Sequence, residues 1–403
     1  MSAKKSNESD VDSFVDSALA SAVSAFGKDR VYVAAEHERR QMVIPIRPLS
    51  LQWLIESNGW PLSRYTQSGG AFGSHKSCFI FQLIAWYLEA NGTATLIDTE
   101  NKTSDSLLRS MIPDKYFDPA DPAHRRFLIL NARSVNEWQR MISGMFNNMQ
   151  KWASDHKGRR PGFPTLIALD SMLGVDAEEG LEHIKAEGEA QGKTFSAAPL
   201  MISQFTKSFS GSLLGWPVTL HFSHHEKANM GTVGVHRPGG SAPDYHASLD
   251  IKFKKGGVHV LGRESNVSRP AMDGLEGRPV TLSVRKSSIG TDDKSMTVLF
   301  YWKFVNDRQV SWWDWDGATA SVLYDNQAAI RGIATIEREK VSGRGQELGG
   351  DYYWSNELGV VEADKMPAHL FGAHVEQHAL RPALASALRI QNHRLVGEPE
   401  AMA

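Results

Sequence analysis

The chain has 403 residues, which is enough for two or three domains with well-developed cores. Basic residues number 44 and acidic residues 46, for a net charge of −2, so recognition of nucleic acid by bulk positive charge is excluded and any such site must be local. The single cysteine, Cys78, excludes an intramolecular disulfide framework and a zinc site built from cysteines. No apolar run is long enough to span a bilayer and the start is polar. We therefore expect a cytoplasmic protein with no membrane partner.

The first 42 residues are predicted to form an arm. Residues 1–10 are polar and predicted to be disordered, whereas apolar residues recur at helical spacing from Val11 to Phe26, and Gly27 ends the pattern. A short β-type run at 31–33 follows, and the polar stretch AAEHERRQ separates both elements from the rest. The arm is thus a helix and a strand set apart from the next domain.

Residues 43–305 are predicted to form one α/β domain, because extended apolar runs alternate with helical segments. The runs are TATLID (93–98), RFLIL (126–130), PTLIALD (164–170), VTLHF (218–222), LDIKF (249–253), VTLSV (280–284) and MTVLFYWKF (296–304). The early runs are apolar throughout, as in buried parallel strands, whereas the last alternates as in an antiparallel strand. After residue 305 the composition shifts, and an apolar helix near 379–390 indicates a small C-terminal domain over 306–403.

The strongest chemical motif is a small-residue loop directly before a helix. It comprises Gly70, Ala71, Phe72, Gly73, Ser74, His75, Lys76 and Ser77. A phosphate-binding loop needs small residues that turn backbone N–H groups inward, a lysine for phosphate charge, a hydroxyl for Mg²⁺ and a helix N-terminus. His75 stands where the consensus has its second glycine, so a plain turn before a buried helix is the alternative interpretation.

Two carboxylates follow buried strands downstream of this loop. Asp170 ends PTLIALD, the placement that a carboxylate needs to hold the water shell of Mg²⁺, and Glu100 follows TLID, where it could polarise an attacking water. Taken singly, these residues could be a turn aspartate and a solvated loop glutamate. The order of loop, glutamate and aspartate together predicts nucleotide hydrolysis.

The sequence resembles RecA-type recombinases, most closely the UvsX-like branch of tailed bacteriophages, whose phosphate loop also lacks the glycine before its lysine. The similar stretches are LASAVSAFGKDRVYV, PLSLQWLIESNGWPLSRYTQSGG, IDTE with LLRSM, FSAAPLMISQFTKSF and RPGGSAPDYHAS. The resemblance covers about residues 11–304. It implies a RecA-like P-loop ATPase core with a mostly parallel sheet, an N-terminal helix–strand docking arm, and a small C-terminal domain. It also implies ATP and Mg²⁺ as cofactors.

The resemblance implies roles for individual residues. Lys76 and Ser77 would bind phosphate and Mg²⁺, Asp170 would hold the metal's water shell, and Glu100 would be the base. His224 would sense the γ-phosphate. The alternative is a packed or metal-binding cluster of His221, His224 and His225, and strand alternation disfavours the metal because it points His224 and His225 to opposite faces. Two further positions bear on ATP: Lys286, which would reach a neighbour's nucleotide, and Leu107, where relatives often stack an aromatic residue on adenine.

The resemblance also implies two DNA-facing loops, near 174–195 and 226–246. The second is glycine-rich, and its predicted DNA-binding residues are Lys227, His236, Arg237, Gly239, Gly240 and Tyr245. An ordinary surface loop is the alternative, and the acidic first loop makes a doubtful DNA contact. The tryptophan-rich stretch 312–315 is predicted to pack in the core rather than stack on bases.

These inferences predict an ATP-dependent DNA strand-exchange recombinase that forms helical homo-oligomeric filaments on single-stranded DNA and pairs it with double-stranded DNA. Loader or single-strand-binding proteins would be further partners. One alternative is a ring motor with the same core, such as a DNA helicase. Another is a DNA-binding filament scaffold that does not hydrolyse ATP, because His75 alters the phosphate loop.

Overall fold

The computed structural model describes residues 2–26, 31, 41–172, 175, 197–228, 235–236, 242–257, 259–261, 275–306, 308–331, 333, 335–338, 352–355, 366–367 and 380–395. The helices are α1 (Ser2–Phe26), α2 (Leu49–Ile55), α3 (Lys76–Glu89), α4 (Asp105–Met111), α5 (Val135–Asp155), α6 (Ala197–Ser212), α7 (Ala242–His246), α8 (Trp315–Asp325) and α9 (Arg381–Ala387). The strands before residue 230 are β1 (Met42–Pro45), β2 (Gly59–Pro61), β3 (Arg64–Gly70), β4 (Thr93–Asp98), β5 (Phe127–Asn131), β6 (Thr165–Asp170), β7 (Val218–His225) and β8 (Lys227–Ala228). The later strands are β9 (Val235–His236), β10 (Leu249–Lys255), β11 (His259–Leu261), β12 (Leu275–Ser287), β13 (Ser295–Val305), β14 (Arg308–Trp313), β15 (Thr335–Arg338), β16 (Tyr352–Ser355), β17 (Met366–Pro367) and β18 (Arg394–Leu395).

One large sheet organises the protein, with the strand order β14-β13-β12-β10-β3-β7-β6-β4-β5 and β11 paired to β12. The strands from β10 to β5 run parallel, and β12, β13 and β14 continue the sheet with antiparallel pairing. The α/β class, the parallel early strands and the antiparallel β13 predicted from the sequence are therefore confirmed.

Apolar clusters cover both faces of the sheet, which explains why its central strands are apolar throughout. On one face Phe79 and Leu83 of α3 belong to a buried apolar cluster with residues of β10, β12 and β13. On the other face Trp138 of α5 and Phe205 of α6 pack with their rings 5.2 Å apart. The ends of the central strands are thereby held in fixed relative positions.

The edge strand β5 differs from the prediction of a buried strand. Within the described ranges it pairs only with β4, and Leu128 and Ile129 are 49% and 43% exposed.

Helix α1 begins at Ser2, because polar residues such as lysine and glutamate also favour helix. The predicted disorder of the N-terminal residues is thus wrong for residues 2–10. Of the predicted strand at 31–33, only Val31 lies within the described residues.

Segments after residue 305 join the main sheet and also contact elements near the start of the preceding domain. The hairpin of β13 and β14 crosses the predicted boundary at 305, and β18 pairs in parallel with β1. Leu384 of α9 packs in a cluster with Leu49 and Leu323. The predicted packing of the tryptophan-rich stretch is confirmed for Trp313, which is 5% exposed. None of the helices in the described ranges is long and apolar enough to cross a membrane.

Candidate nucleotide site at the carboxyl edge of the parallel strands

The small-residue loop connects β3 to α3, and two of its glycines meet a steric requirement. A Cβ on Gly70 would lie 2.3 Å from the carbonyl oxygen of Phe253, so a larger residue would displace β10. Gly73 has a φ of 68°, in the left-handed region that favours glycine. Ala71 and Phe72 are exposed at the loop tip, and Ser74 is buried. The loop thus has a defined backbone beside the helix N-terminus.

His75 takes the backbone conformation that a glycine would favour, with a φ of 65°. Its ring packs against Phe300 at a centroid distance of 4.4 Å, with Trp302 and Trp313 further out. Burial, followed by the charges of Arg278, Lys255 and Lys76, lowers the pKa of His75 to about 4. The histidine is therefore accommodated as a neutral ring between the loop and β13, with a left-handed backbone directly before α3.

Lys76 lies at the centre of the site and is 4% exposed. Its Nζ donates to the carbonyl oxygens of Gly70 and Ala71, both at 3.0 Å, and lies 3.3 Å from Nδ1 of His225. Burial lowers the pKa of Lys76 to about 8, against the opposing pull of Asp170 and Glu100. The lysine is therefore held beside the loop backbone by groups that phosphate oxygens could replace.

Asp170 ends β6 directly beneath the loop. Its Oδ1 accepts a short hydrogen bond from Ser223 of β7, and its carboxylate also accepts one from Ser77. Burial raises the pKa of Asp170, although both serine hydrogen bonds oppose that shift. A hydroxyl and a carboxylate in contact are oxygen ligands of the kind that Mg²⁺ uses when phosphates and water complete its shell. Ser77 and Asp170 therefore fit the predicted metal role.

Glu100 follows β4 and accepts hydrogen bonds on both oxygens. Oε1 accepts from Ser171 at 2.7 Å and lies 2.9 Å from Nε2 of His225, while Oε2 accepts from Lys102 at 2.9 Å. Burial acts to raise the pKa of Glu100, but the hydrogen bonds from Ser171 and Lys102 and the nearby His225 outweigh it and lower the pKa to about 2. The carboxylate is thus ionised and oriented toward the loop.

His225, rather than the predicted His224, lies between Lys76 and Glu100. The two histidines are adjacent at the end of β7 and point to opposite faces. His224 is 1% exposed and lies beside Gly69 and Arg285, where a Cβ on Gly69 would come within 2.4 Å of its Nε2. The structure therefore places His224 behind the loop and His225 in the site.

Sequence reasoning did not identify several residues that hold the site in place. Asp98 accepts from the backbone N–H groups of residues 100, 101 and 103 and so fixes the turn that carries Glu100. Thr99 bonds both backbone groups of Ser171, which joins the ends of β4 and β6. The aspartate of TLID could have been found from its place at a strand end, since Asp often caps turn N–H groups.

Two cations from β10 and β12 also reach the loop. Lys255 of β10 donates to the carbonyl oxygen of Phe72 at 2.6 Å, and Arg278 of β12 donates to that of Gly73 at 3.1 Å. No local motif marks either residue, because they lie far from the loop in sequence. They add positive charge beside the helix N-terminus, in a place suited to an anion.

The remaining predicted positions lie away from the loop or outside the described residues. Leu107 packs against the main core from α4. Lys286 donates to the carbonyl oxygens of Asp244 and Tyr245, and the Tyr245 side chain is 76% exposed. Lys227 and His236 lie opposite each other in the antiparallel backbone pairing of β8 and β9. Arg237, Gly239, Gly240 and, apart from Val175, the first predicted DNA loop lie outside the described residues.

A scan of the chain against models of known protein families finds no match, and no curated protein matches it either. Among the described residues, no group of three or more His, Cys, Asp or Glu could hold a metal ion. That result fits a metal bound through one carboxylate, one hydroxyl and substrate phosphates, because Mg²⁺ is usually held without a cage of protein ligands. The function of the chain is therefore inferred from the geometry of the site and from the sequence pattern.

Proposed function

We propose that this chain is an ATP-dependent DNA strand-exchange recombinase with a RecA-like P-loop ATPase core. One observation carries the proposal: Lys76, His225 and Glu100 form a continuous hydrogen-bonded chain at the carboxyl edge of the sheet. The Ser77–Asp170 pair lies beside it. Ligands in open α/β sheets bind at this edge, and a loop at a helix N-terminus suits phosphates.

Each group has a task in phosphoryl transfer. Lys76 binds phosphate oxygens, and the backbone N–H groups at the start of α3 face the same charge. Bound Mg²⁺ supplies neutralisation of the phosphate charge. Ser77 and Asp170 would hold that ion directly and through water. Because its pKa is about 2, Glu100 is a weak base. It therefore acts chiefly by orienting the attacking water, as water-positioning residues do in other phosphoryl-transfer enzymes.

Exposed apolar surface supports assembly into filaments. Phe14 of α1 is 73% exposed, and β5 presents an open strand edge next to Leu128 and Ile129. A monomer that exposes an apolar helix face and an apolar sheet edge has surface suited to another chain. In a filament the arm of one subunit covers the core of the next.

The two alternatives make different predictions. A non-hydrolysing scaffold has no use for a carboxylate fixed by Asp98, Ser171 and His225 in front of the phosphate loop. A ring motor keeps the catalytic groups but closes its assembly. The oriented Glu100 therefore favours an enzyme, and the shape of the assembly separates recombinase from ring motor.

The test measures ATP turnover by the purified protein with and without single-stranded DNA, followed by strand exchange between homologous single-stranded and double-stranded DNA. We expect DNA-stimulated turnover, joint molecules, and helical filaments in negative-stain images. Absence of turnover with filaments present would identify a scaffold. Closed rings with DNA unwinding and no joint molecules would identify the motor.

A further inference from the structure

A cationic and aromatic surface lies at the opposite end of the sheet from the nucleotide site. It comprises residues 151–163, which lead from the end of α5 into β6, and residues 214–216, which precede β7; we call it the α5-turn patch. The two segments meet where Arg160 lies over the ring of Trp216, 5.0 Å from its centroid. Thr165 donates its N–H to Pro217 at 2.8 Å, which holds the starts of β6 and β7 together.

The patch is locally basic in a chain whose net charge is −2. Four of the ten residues from 151 to 160 are lysine or arginine, and one, Asp155, is acidic. Lys151, Lys157 and Arg159 are exposed, and none of the three forms an ion pair within the described residues. Their charge is therefore available to an anionic ligand.

Aromatic rings lie among these cations. Trp152 stacks on His156 at a centroid distance of 4.0 Å with an interplanar angle of 16°. Trp152 is 38% exposed and Phe163 is 40% exposed. A flat ring backed by a second ring is a rigid platform, and the face or edge left open can take another π-system. The patch thus offers stacking as well as charge.

The turn that carries the cations has a defined backbone. Gly158 donates to Ala153 at 2.8 Å and Arg159 donates to His156 at 3.1 Å, so the chain winds back over the last turn of α5. Lys157 and Gly158 have φ values of 59° and 78°. This folded turn projects Lys157 and Arg159 away from the core at fixed points.

We propose that the α5-turn patch binds single-stranded nucleic acid, independently of the nucleotide site and of the two predicted DNA loops. Exposed cations meet phosphates, and the Trp152 platform stacks an unpaired base, the two contacts that single-strand sites combine. A duplex buries the faces of its bases, so stacking on Trp152 favours a single strand. A membrane surface would instead need an apolar helix face, and α5 buries its apolar residues Trp138, Ile142 and Phe146 in the core.

The position of the patch gives the proposal a distinct signature. It lies at the amino ends of β6 and β7, whereas the phosphate loop and Glu100 lie at the carboxyl ends. None of its residues contacts the nucleotide site. Binding through the patch therefore requires neither ATP nor filament formation, and it is measurable even if the protein hydrolyses no ATP.

The experiment measures fluorescence anisotropy of a labelled twelve-nucleotide single strand with the full chain, without nucleotide, over a range of salt concentrations. The charge variant is Lys157→Gln with Arg159→Gln, and the stacking variant is Trp152→Ala. Arg331→Gln, at an exposed cation elsewhere, and Phe304→Ala, at an exposed aromatic, are the matched controls. Thermal unfolding reports whether each variant stays folded. The charge variant alters only exposed side chains, so its binding still tests the proposal if Trp152→Ala unfolds.

We expect the charge variant to weaken binding and to reduce the log–log salt slope by about 0.7 for each cation removed. Trp152→Ala should weaken binding about fivefold or more with little change in slope. Both controls should bind as the parent does. Parental affinity in the charge variant would overturn the proposal, and so would equal affinity of the parent for anionic phospholipid vesicles or polyglutamate. A lowered unfolding temperature with unchanged binding would show that these cations only stabilise the end of α5, which also overturns it.

Discussion

His225 links the two chemical groups of the candidate site, because one ring nitrogen lies near Lys76 and the other near Glu100. A single imidazole in that position can respond to a change at either end. In the proposed function, phosphate that displaces the loop carbonyls from Lys76 would leave the hydrogen bond to His225 free to change, and the orientation of Glu100 would change with it. Phosphate binding would then be coupled to the placement of the carboxylate that orients the water.

Glu100→Gln should retain nucleotide binding and slow ATP turnover by about 10²- to 10⁴-fold, because an amide orients the water poorly and cannot accept its proton. The matched control is Lys102→Gln, which removes an exposed partner of the same carboxylate and should change turnover only a few-fold. Steady-state hydrolysis and nucleotide binding are the measurements. Parental turnover in Glu100→Gln would remove Glu100 from the mechanism.

His75→Asn should reduce the loss of stability on acidification. The pKa of His75 is lowered from 6.5 to about 4, so between these values the unfolded chain binds more protons and stability falls as pH decreases. Asparagine tolerates the left-handed backbone and does not titrate. Denaturant unfolding at pH 7 and pH 4.5 measures the effect, which is on the order of 2 to 3 kcal/mol. His221 titrates similarly in both proteins, so a parallel pH dependence would contradict the assignment.

Sequence reasoning located residues that occupy strand ends and missed those that depend on register or distance. Glu100 and Asp170 each follow an apolar run, Lys76 follows the small-residue loop after β3, and parallel strands bring such ends together. Whether His224 or His225 faces the site depends on which face of β7 each residue points to. The apolar run, which is buried on both faces and ends at residue 222, does not show this. Lys255 reaches the loop through the parallel pairing of β10 with β3, and Arg278 reaches it from β12, which pairs antiparallel with β10.

At the scale of elements, β5 forms one edge of the main sheet, and no strand in the described part of the chain pairs with its outer side. The apolar run 126–130 resembles that of a central strand, but which strand lies at an edge depends on the pairing order, which no local pattern contains. An edge with exposed Leu128 and Ile129 attracts another strand unless it is covered. The predicted strand of the arm is suited to that place in a neighbouring subunit.

Ile129→Lys should abolish filaments while leaving ATP affinity unchanged, because a charge on this edge disfavours strand addition. The companion variant lacks residues 1–33, which form the other half of the proposed contact between subunits, and it should also fail to form filaments. Phe304→Lys, at an exposed apolar residue on the β13–β14 hairpin, is the control that should assemble normally. Light scattering with ATP and DNA measures assembly. Normal filaments from both Ile129→Lys and the truncated chain would mean that assembly uses other surfaces.

At the scale of the whole molecule, the proposed function requires a chain of net charge −2 to hold DNA through few contacts per subunit. Repetition along a filament would multiply such contacts, so affinity would rise with assembly rather than with monomer charge. In this proposal the second predicted loop supplies contacts from residues 227–245, and the α5-turn patch supplies a separate surface on each core.

Arg237→Gln should reduce the salt slope of ATP-dependent filament binding by about 0.7 per subunit and weaken all sequences alike. Tyr245→Ala should weaken binding with little change in slope, because its exposed ring contributes stacking or wedging without releasing counterions. DNA binding at several salt concentrations with ATP measures both. If the two variants polymerise and bind as the parent does, the second loop does not contact DNA.

Cys78 gives the chain a built-in reporter of motion at the nucleotide site. The only cysteine is 5% exposed; its Sγ lies 3.8 Å from Nδ1 of His75, and burial raises the pKa of its thiol to about 12. Because the sulfur is buried, a thiol reagent should react when local opening of α3 and the loop exposes it. Labelling in the native protein should therefore proceed at the rate of that local opening, and ATP should slow it by holding the loop closed. Mass spectrometry after timed alkylation would then read nucleotide occupancy in each filament state without any added probe.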